Sequence, residues 1–321
     1  MFRVLVTGGA GFIGSHLTEA LLRKGHFVRV LDDFSTGKRE NLVFGRDDPS
    51  LEIVEGDIRE REICRRAMER IDYVFHQAAL PSVQRSVEDP FLSNAVNVGG
   101  TLNILLAARD AGVKRVMYAA SSSFYGDTPT LPKKETMPPN PQSPYALQKS
   151  IGEGYCRLFT QLYGLETVSL RYFNIFGPKQ DPNSLYSAVI PKFIDALVTG
   201  RPPTVYGDGE QSRDFTYIQN VVKANLLAME AKRLNGESIN IACGDRISLN
   251  QLLAVLREIL GVKMDAIYEA PRQGDVKHSL ADIRKARRIL KYVPSVDIRE
   301  GLEKTVEFFR KGRETRTGKL E

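Results

Sequence analysis

Short runs of β-branched and aromatic residues alternate with helical segments through the first half of the chain. Leu17, Leu21 and Leu22, for example, fall on one face of a helix. Strands that alternate with helices predict a parallel, doubly wound sheet with helices on both faces, in which ligands bind beyond the carboxyl ends of the strands. The predicted strands are residues 4–6, 27–31, 51–54, 73–75, 116–118 and 167–170.

The pattern changes at about residue 176, where prolines become frequent. Helices are predicted at 218–231, 248–260 and 298–311, with only short strands between them. A chain of 321 residues exceeds what one hydrophobic core usually holds. We therefore expect a first domain over residues 1–175 and a smaller, mixed α/β lobe over 176–321, with some of its segments packing back on the first domain.

Composition excludes several classes of function. The formal net charge is +6, but basic and acidic residues are interleaved, as on solvated helix faces, so we expect no nucleic-acid partner. Three dispersed cysteines predict reduced thiols, and four histidines without ligand spacing predict no metal site. We expect no membrane span, because no apolar stretch approaches ~18 residues, and no leader, because the first strand is predicted to begin by Arg3. These features predict a cytoplasmic protein that is not bound to a membrane.

A glycine-rich turn joins the first predicted strand to the first helix. Gly8, Gly11 and Gly14 occupy positions where a side chain would keep backbone N–H groups away from a pyrophosphate. The second strand ends at Asp32, where a Rossmann dinucleotide site requires an acidic residue for the ribose hydroxyls. This carboxylate would repel the extra phosphate of NADP, so NAD is the predicted cofactor.

Two features near this turn leave alternatives open. Lys38 and Arg39 follow Asp32, and a cation there could accept the phosphate of NADP. Asp57, after the third strand, is interpreted either as a contact to the adenine or as a helix N-cap.

Tyr145 and Lys149 form a Tyr-x-x-x-Lys pair that predicts acid–base chemistry. On a helix the two side chains share one face, and an ammonium beside a phenol lowers its pKa. Tyr145 is the predicted general base for a hydroxyl proton. Ser121, Ser122 and Ser123 follow the fifth strand, at the sheet edge where a substrate belongs, and a hydroxyl there can relay the proton.

The chain resembles the extended short-chain dehydrogenase/reductases, and among them the UDP-galactose and UDP-N-acetylglucosamine 4-epimerases. The resemblance runs nearly end to end, through TGGAGFIGSHL, HQAA, NVGGT, SSSFYG, SPYALQK, LRYFNIFGP, GDGEQSRDF and RQGD. It implies a domain that binds NAD, a lobe that binds the UDP-sugar, and a homodimer formed through long helices near 88–111 and 143–163. It makes Tyr145 the base and Lys149 its orienting lysine, and between Ser121 and Ser122 we choose Ser122 as the relay.

The resemblance also assigns contacts by position. The implied cofactor contacts are Gly8, Gly11, Phe12, Ile13, Gly14, Asp32, Asp33, Ser35, Thr36, Gly37, Asp57, Ile58, Gln77, Ala78, Ala79, Asn97, Ser121, Tyr145, Lys149 and Tyr172. The implied substrate contacts are Ser82, Ser122, Ser123, Tyr145, Asn174, Val189, Tyr206, Arg213, Arg272, Asp275 and Ser279. Arginines suit a diphosphate because their fork geometry allows bidentate hydrogen bonds.

The resemblance implies an NAD-dependent isomerase that interconverts UDP-GlcNAc with UDP-GalNAc, and UDP-Glc with UDP-Gal, through a 4-keto sugar. Ser279 is at the position that limits the C2 substituent, and a small residue there leaves room for an acetamido group. UDP-glucuronate 4-epimerase or decarboxylase is an alternative on the same scaffold. A non-catalytic NAD-sensing protein is a second alternative, although it would be expected to lack the tyrosine, lysine or serine.

Overall fold

A seven-stranded parallel sheet lies at the centre of the computed structural model, which describes residues 1–181, 188–271 and 276–317. Its strand order is β11-β6-β5-β4-β1-β2-β3, and every pair is parallel. The strands are β1 (Arg3–Thr7), β2 (Phe27–Asp32), β3 (Leu51–Glu55), β4 (Tyr73–His76), β5 (Arg115–Ser121), β6 (Thr167–Tyr172) and β11 (Glu237–Ile241). The six strands predicted for the first half are confirmed.

Helices cover both faces of this sheet. The α-helices of the described residues are α1 (Phe12–Arg23), α2 (Arg61–Ala67), α3 (Val83–Glu88), α4 (Pro90–Asn94), α5 (Thr101–Asp110), α6 (Pro144–Tyr163), α7 (Val189–Val198), α8 (Ile218–Glu230), α9 (Leu249–Leu260), α10 (Arg284–Leu290) and α11 (Ile298–Thr317); of these, α7, α9 and α11 pack on one another in the second half of the chain. Side chains of β1 alternate between the faces: Val4 and Val6 join the core beneath α1 and α8, whereas Leu5 joins the core beneath α2, α5 and α6. The predicted doubly wound α/β fold is confirmed.

In the part of the smaller lobe that the structure describes, there are three two-stranded sheets. They pair β7 (Ile175–Phe176) with β10 (Thr216–Tyr217), β9 (Ser212–Arg213) with β12 (Ile247–Ser248), and β8 (Thr204–Tyr206) with β13 (Ile267–Glu269). Two segments of the second half belong to the central layers, since β11 pairs with β6 and α8 packs on α1. A domain boundary at residue 175 stays a prediction.

A continuous helical segment runs from α4 through a π-helical stretch, Ala95–Gly100, into α5. By length and composition, residues Pro90–Asp110 could cross a membrane, so our expectation that no such stretch exists is wrong. The mean hydropathy of this segment is high because its alanines, valines and leucines outweigh its asparagines. Half of the apolar window is buried in the protein, and α5 packs on α2 and α6, as in a core helix.

Candidate active site

The strand order reverses beside β1, which lies between β2 and β4, and the glycine turn opens into the crevice there. Gly8 has a φ of +67°, and its N–H donates to the Leu31 carbonyl at 2.8 Å. A Cβ on Gly14 would lie 2.0 Å from the Gly8 carbonyl oxygen, so the turn can close only with glycine. Helix α1 starts at Phe12 and Ile13 without a side-chain cap, which leaves its first N–H groups for an anion. These residues fit a dinucleotide pyrophosphate.

Asp32 is buried at the end of β2, next to this turn. Its carboxylate accepts hydrogen bonds from the N–H groups of Ala10 and Phe34, both at 2.9 Å, while burial raises its pKa. A Cβ on Gly37 would lie 2.8 Å from Asp32 Oδ1, so the loop returns closely over the carboxylate. The predicted contact Asp33 is exposed and caps Ser35, which precedes Thr36 in that loop.

Asp57 pairs with Arg59 at 2.5 Å, between the guanidinium and the carboxylate. Burial alone would raise the pKa of Asp57, but the hydrogen bonds from Arg59 outweigh it and the pKa is lowered. Glu60, not Asp57, is the N-cap of α2, so the N-cap interpretation is wrong. Ile58 is buried beside Gly100, and the predicted adenine contact stays a prediction.

The segment after β4 forms the next wall of the crevice. Gln77 Nε2 donates to the Tyr172 hydroxyl at 3.2 Å, and Asn225 holds the same hydroxyl from α8 at 2.8 Å. The Ala78 N–H donates to Thr7 Oγ1, and Ala79 continues the half-buried run. The structure thus brings predicted contacts from β4 and β6 together.

Two other predicted contacts have structural partners. Asn97 is fully buried; its Oδ1 accepts from Leu80 N–H and its Nδ2 donates to Gln148 Oε1, both at 2.8 Å. Its amide therefore ties the loop after β4 to α6. Ser82 is the N-cap of α3 and accepts a hydrogen bond from the Arg85 N–H at 3.1 Å.

Helix α6 places the predicted base above its lysine. Ser143 caps the helix and Pro144 occupies its first turn, so Tyr145 and Lys149 share one face, one turn apart. Lys149 is 4% exposed, and its Nζ donates to the Ala119 carbonyl at 2.9 Å. Burial lowers the pKa of Lys149 to about 8. Burial also raises the pKa of the half-buried Tyr145, so an adjacent positive charge is needed to favour phenolate.

The serines lie at the carboxyl end of β5. Ser121 ends the strand; burial raises the pKa of the Tyr145 phenol, and the nearby Ser121 hydroxyl offsets part of that rise. Ser123 Oγ donates to Ser121 Oγ at 2.9 Å. Ser122 starts a 3-10 turn, Ser122–Tyr125, and among the described residues its side chain has no recorded hydrogen bond. The effect of Ser121 on the phenol makes it the alternative to Ser122, and the choice of Ser122 as the relay stays a prediction.

A cavity of about 280 Å³ lies beyond β6, in the smaller lobe. Four predicted substrate contacts line it, from four different segments: Asn174, Val189, Tyr206 and Arg213. Sequence reasoning missed other lining residues, among them Lys192 and Phe193 of α7 and Gln211, Phe215 and Leu249. Helical spacing from Val189 could have indicated Lys192 and Phe193.

The polar residues of this cavity are held by backbone groups. Asn174 has a φ of +39° and donates to the Asp214 carbonyl at 3.1 Å, while Arg213 donates to the Lys277 carbonyl at 3.1 Å. The N–H of the half-buried Ser279 donates to the Ser212 carbonyl at 3.0 Å, which places the predicted gate beside β9. The predicted contacts Arg272 and Asp275 lie outside the described residues.

Asp214 is a positioning residue that sequence reasoning did not single out, although it lies in the quoted GDGEQSRDF stretch. Its carboxylate is fully buried and accepts hydrogen bonds from the N–H groups of Cys243, Gly244 and Ala281. Burial raises its pKa to about 7. It joins the Arg213 strand to the chain just beyond Ser279.

Comparisons with known proteins agree with this arrangement. A UDP-glucose 4-epimerase of Mycolicibacterium smegmatis is 39% identical over 96% of this chain and 98% of its own length. The structure of a UDP-N-acetylglucosamine 4-epimerase from Methanobrevibacter ruminantium M1, in complex with UDP-N-acetylmuramic acid, superimposes with a TM-score of 0.93, 42% identity and coverage of 97% and 99% of the two chains. The structure of the Thermus thermophilus UDP-glucose 4-epimerase in complex with NAD superimposes with a TM-score of 0.88 and 38% identity. The match covers 96% of this chain and 99% of that one.

The sequence profile of the NAD dependent epimerase/dehydratase family matches residues 4–242, which contain the glycine turn, Asp32, the serines and the Tyr145–Lys149 pair. NAD, the cofactor predicted from Asp32, is confirmed by this family. The chain belongs to the NAD dependent epimerase/dehydratase family and is similar throughout its length to UDP-sugar 4-epimerases.

Proposed function

We propose that this protein interconverts UDP-GlcNAc with UDP-GalNAc, and UDP-Glc with UDP-Gal, through a 4-keto sugar. The observation that carries the proposal is the juxtaposition of Tyr145 and Ser121 with the cavity lined by Asn174 and Arg213. Ser121 pairs in register with Tyr172, two residues before Asn174, so acid–base groups and cavity open at one sheet edge. A nucleotide diphosphate held in the cavity would direct its sugar toward Tyr145.

In the proposed reaction Tyr145 removes the proton from the sugar 4-hydroxyl, and it returns a proton to the 4-oxygen on the reverse step. Bound NAD supplies a reversible hydride acceptor for C4. Lys149, one helical turn from Tyr145 on α6, is the cation proposed to favour phenolate electrostatically. A serine hydroxyl at the end of β5 bridges Tyr145 and the substrate oxygen.

The diphosphate anchors the substrate while the ring turns over. Arg213 supplies a cation at the cavity wall, and Asn174 supplies an amide to the same wall. Tyr206 and Val189 present an apolar edge that suits a uracil ring. Because the anchor is remote from C4, the flat 4-keto ring can present its other face without leaving the pocket.

Ser279 is the proposed determinant of sugar size. Its position is fixed by the β9 backbone through Ser212, and its small side chain leaves room for an acetamido group. Ser279→Tyr is expected to abolish turnover of the N-acetylated pair and spare UDP-Glc and UDP-Gal. Equal rates with all four sugars in that variant would refute the gate; Ser295→Tyr, remote from the proposed gate in the chain, is the size-matched control.

The function is tested by incubating the purified protein with a panel of UDP-hexoses without added NAD, and resolving the products by chromatography or NMR. We expect C4 epimers and no net NADH. Stoichiometric NADH formation would make the protein a plain dehydrogenase. UDP-glucuronate belongs in the panel, because a C4 epimer or a pentose from it would favour the alternative on the same scaffold. No product from any sugar would favour an NAD sensor.

The proposed assembly is a cytoplasmic homodimer. Helix α6 exposes an apolar stripe at helical spacing, with Leu147 50%, Leu158 43% and Leu162 68% exposed. Phe91, on the helical segment that follows α3, is 86% exposed. Light scattering is expected to give twice the mass of the 321-residue chain, and Leu158→Glu with Leu162→Glu is expected to give monomers.

A further inference from the structure

The loop after Asp32 carries two cations next to the ribose-binding carboxylate. Lys38 follows Gly37, whose Cβ position lies against Asp32, and the Lys38 N–H donates to the Ala10 carbonyl at 3.0 Å. Arg39 comes next. In sequence, two such cations are the feature that would accept the 2′-phosphate of NADP.

The first of these cations, Lys38, forms an ion pair with a carboxylate from a distant segment of the chain. Lys38 Nζ lies 2.8 Å from Asp181 Oδ2, across 143 residues of sequence. Asp181 ends a segment, residues 178–181, that we call the strap; it leaves β7 and crosses to the cofactor side of the crevice.

The strap has further anchors that fix Asp181 over the loop. His16 Nε2 of α1 donates to the Pro178 carbonyl at 3.0 Å. Lys179, whose side chain is 16% exposed, donates to the Asn41 carbonyl at 3.1 Å and lies 3.6 Å from Glu19. Asn41 in turn donates to the Ala10 carbonyl of the glycine turn. Asp181 is therefore presented by a braced segment.

The second cation, Arg39, also forms an ion pair with a carboxylate. The Arg39 guanidinium pairs with the Glu55 carboxylate at the end of β3 and stacks over the Phe34 ring at 4.0 Å. Both carboxylates come from outside the loop, one from the end of β3 and the other from the strap.

We propose that Asp181 and Glu55 are cofactor-selectivity residues, which keep Lys38 and Arg39 from a 2′-phosphate and so reinforce the rejection of NADP by Asp32. A phosphate monoester carries about two negative charges at neutral pH. To bind it, each cation must leave a carboxylate that would then face the phosphate at close range. Both pairs are exposed, so each adds a few-fold to selectivity.

The test measures bound nucleotide rather than turnover. The purified protein is exchanged against an equimolar mixture of NAD and NADP and gel filtered, and the nucleotides released on denaturation are quantified. We expect Asp181→Asn and Glu55→Gln each to raise the bound NADP/NAD ratio roughly 2- to 5-fold, and the double variant, in which independent effects multiply, roughly 4- to 25-fold. Glu230→Gln removes a carboxylate from another exposed pair, with Lys24, and is expected to leave the ratio unchanged.

Lys38→Met in the Asp181→Asn background separates the proposal from a general loosening of the site, because it should return the ratio to the wild-type value. An unchanged ratio in both single variants and the double variant overturns the proposal, and so does a gain that survives Lys38→Met. Total nucleotide per chain is recorded separately. None of these results depends on which sugar the enzyme converts.

Discussion

Helix α6 buries two opposite charges one turn apart and holds them in different ways. Lys149 donates to the Ala119 carbonyl of β5 at 2.9 Å, and burial lowers its pKa to about 8. Glu153 faces the sheet and forms a bidentate pair with Arg171 of β6, at 2.7 to 3.1 Å. Burial alone would lower the pKa of Arg171, but the Glu153 bonds outweigh it and the pKa is raised.

The difference separates a charge kept for chemistry from a charge kept for architecture. Glu153 also accepts from Ser238 of β11, and Arg171 donates to the Tyr125 hydroxyl, so the pair joins β6, β11 and the serine turn. Among the described residues Lys149 has no hydrogen bond or ion pair with a carboxylate; Glu153 acts on it only through space, and its ammonium lies 5.0 Å from the centre of the Tyr118 ring. A buried charge with a complete partner set is stabilised, whereas an incompletely paired one can shift the pKa of a neighbour.

Removing the phenol should have the largest effect. Tyr145→Phe deletes the proposed base while its N–H bond to Ser86 Oγ is retained. Turnover should fall ~10²- to 10⁴-fold, the usual contribution of general acid–base catalysis. Calorimetry with UDP should still detect binding; near-normal turnover would remove Tyr145 from the mechanism.

Breaking the architectural pair should cost stability. Glu153→Gln leaves Arg171 buried without its carboxylate, and we expect the free energy of unfolding to drop by about 3–5 kcal/mol in denaturant titrations. Glu62→Gln, in the exposed pair with Arg65, is the matched control and should leave the midpoint unchanged. A small loss of unfolding free energy in Glu153→Gln would contradict the structural role assigned to the Glu153–Arg171 pair.

Lys149→Met should lower turnover yet raise stability, in a way that depends on pH. The folded-state pKa, about 8, lies below the ordinary 10.5, so between these values the unfolded chain binds more protons and wild-type stability rises with pH. The stability advantage of the variant should be largest below pH 8, about 3 kcal/mol, and shrink toward pH 10.5. Unfolding midpoints measured across that range test this; a constant difference would contradict it.

The smallest expected effect distinguishes the serines. Ser121→Ala removes the hydroxyl that contacts Tyr145, and we expect an ~10- to 100-fold loss of turnover, typical of one hydrogen bond to a charged group. Ser122→Ala should cause a smaller loss of turnover. The reverse order would restore Ser122 as the relay.

Much of the fold followed from local pattern. Period-2 and period-3.6 hydrophobicity gave the six strands of residues 3–172 and the helices between them, because each buries one face or stripe. The expectation that no apolar stretch is long enough to span a membrane failed at Pro90–Asp110, because asparagines interrupt a segment whose mean hydropathy is high. The N-cap interpretation of Asp57 also failed, since capping depends on where α2 starts, and Glu60 begins it.

Within the site, the sequence by itself determined the chemistry at hand: a glycine turn that needs glycine, an acidic residue after β2, and a tyrosine and lysine one turn apart. These depend on residues close in sequence. Tertiary structure decided which serine contacts the phenol, that Asp214 binds two separate segments, and that Asp181 reaches Lys38. Such contacts join residues far apart in the chain, and their distances are set by the packing of strands and helices between them.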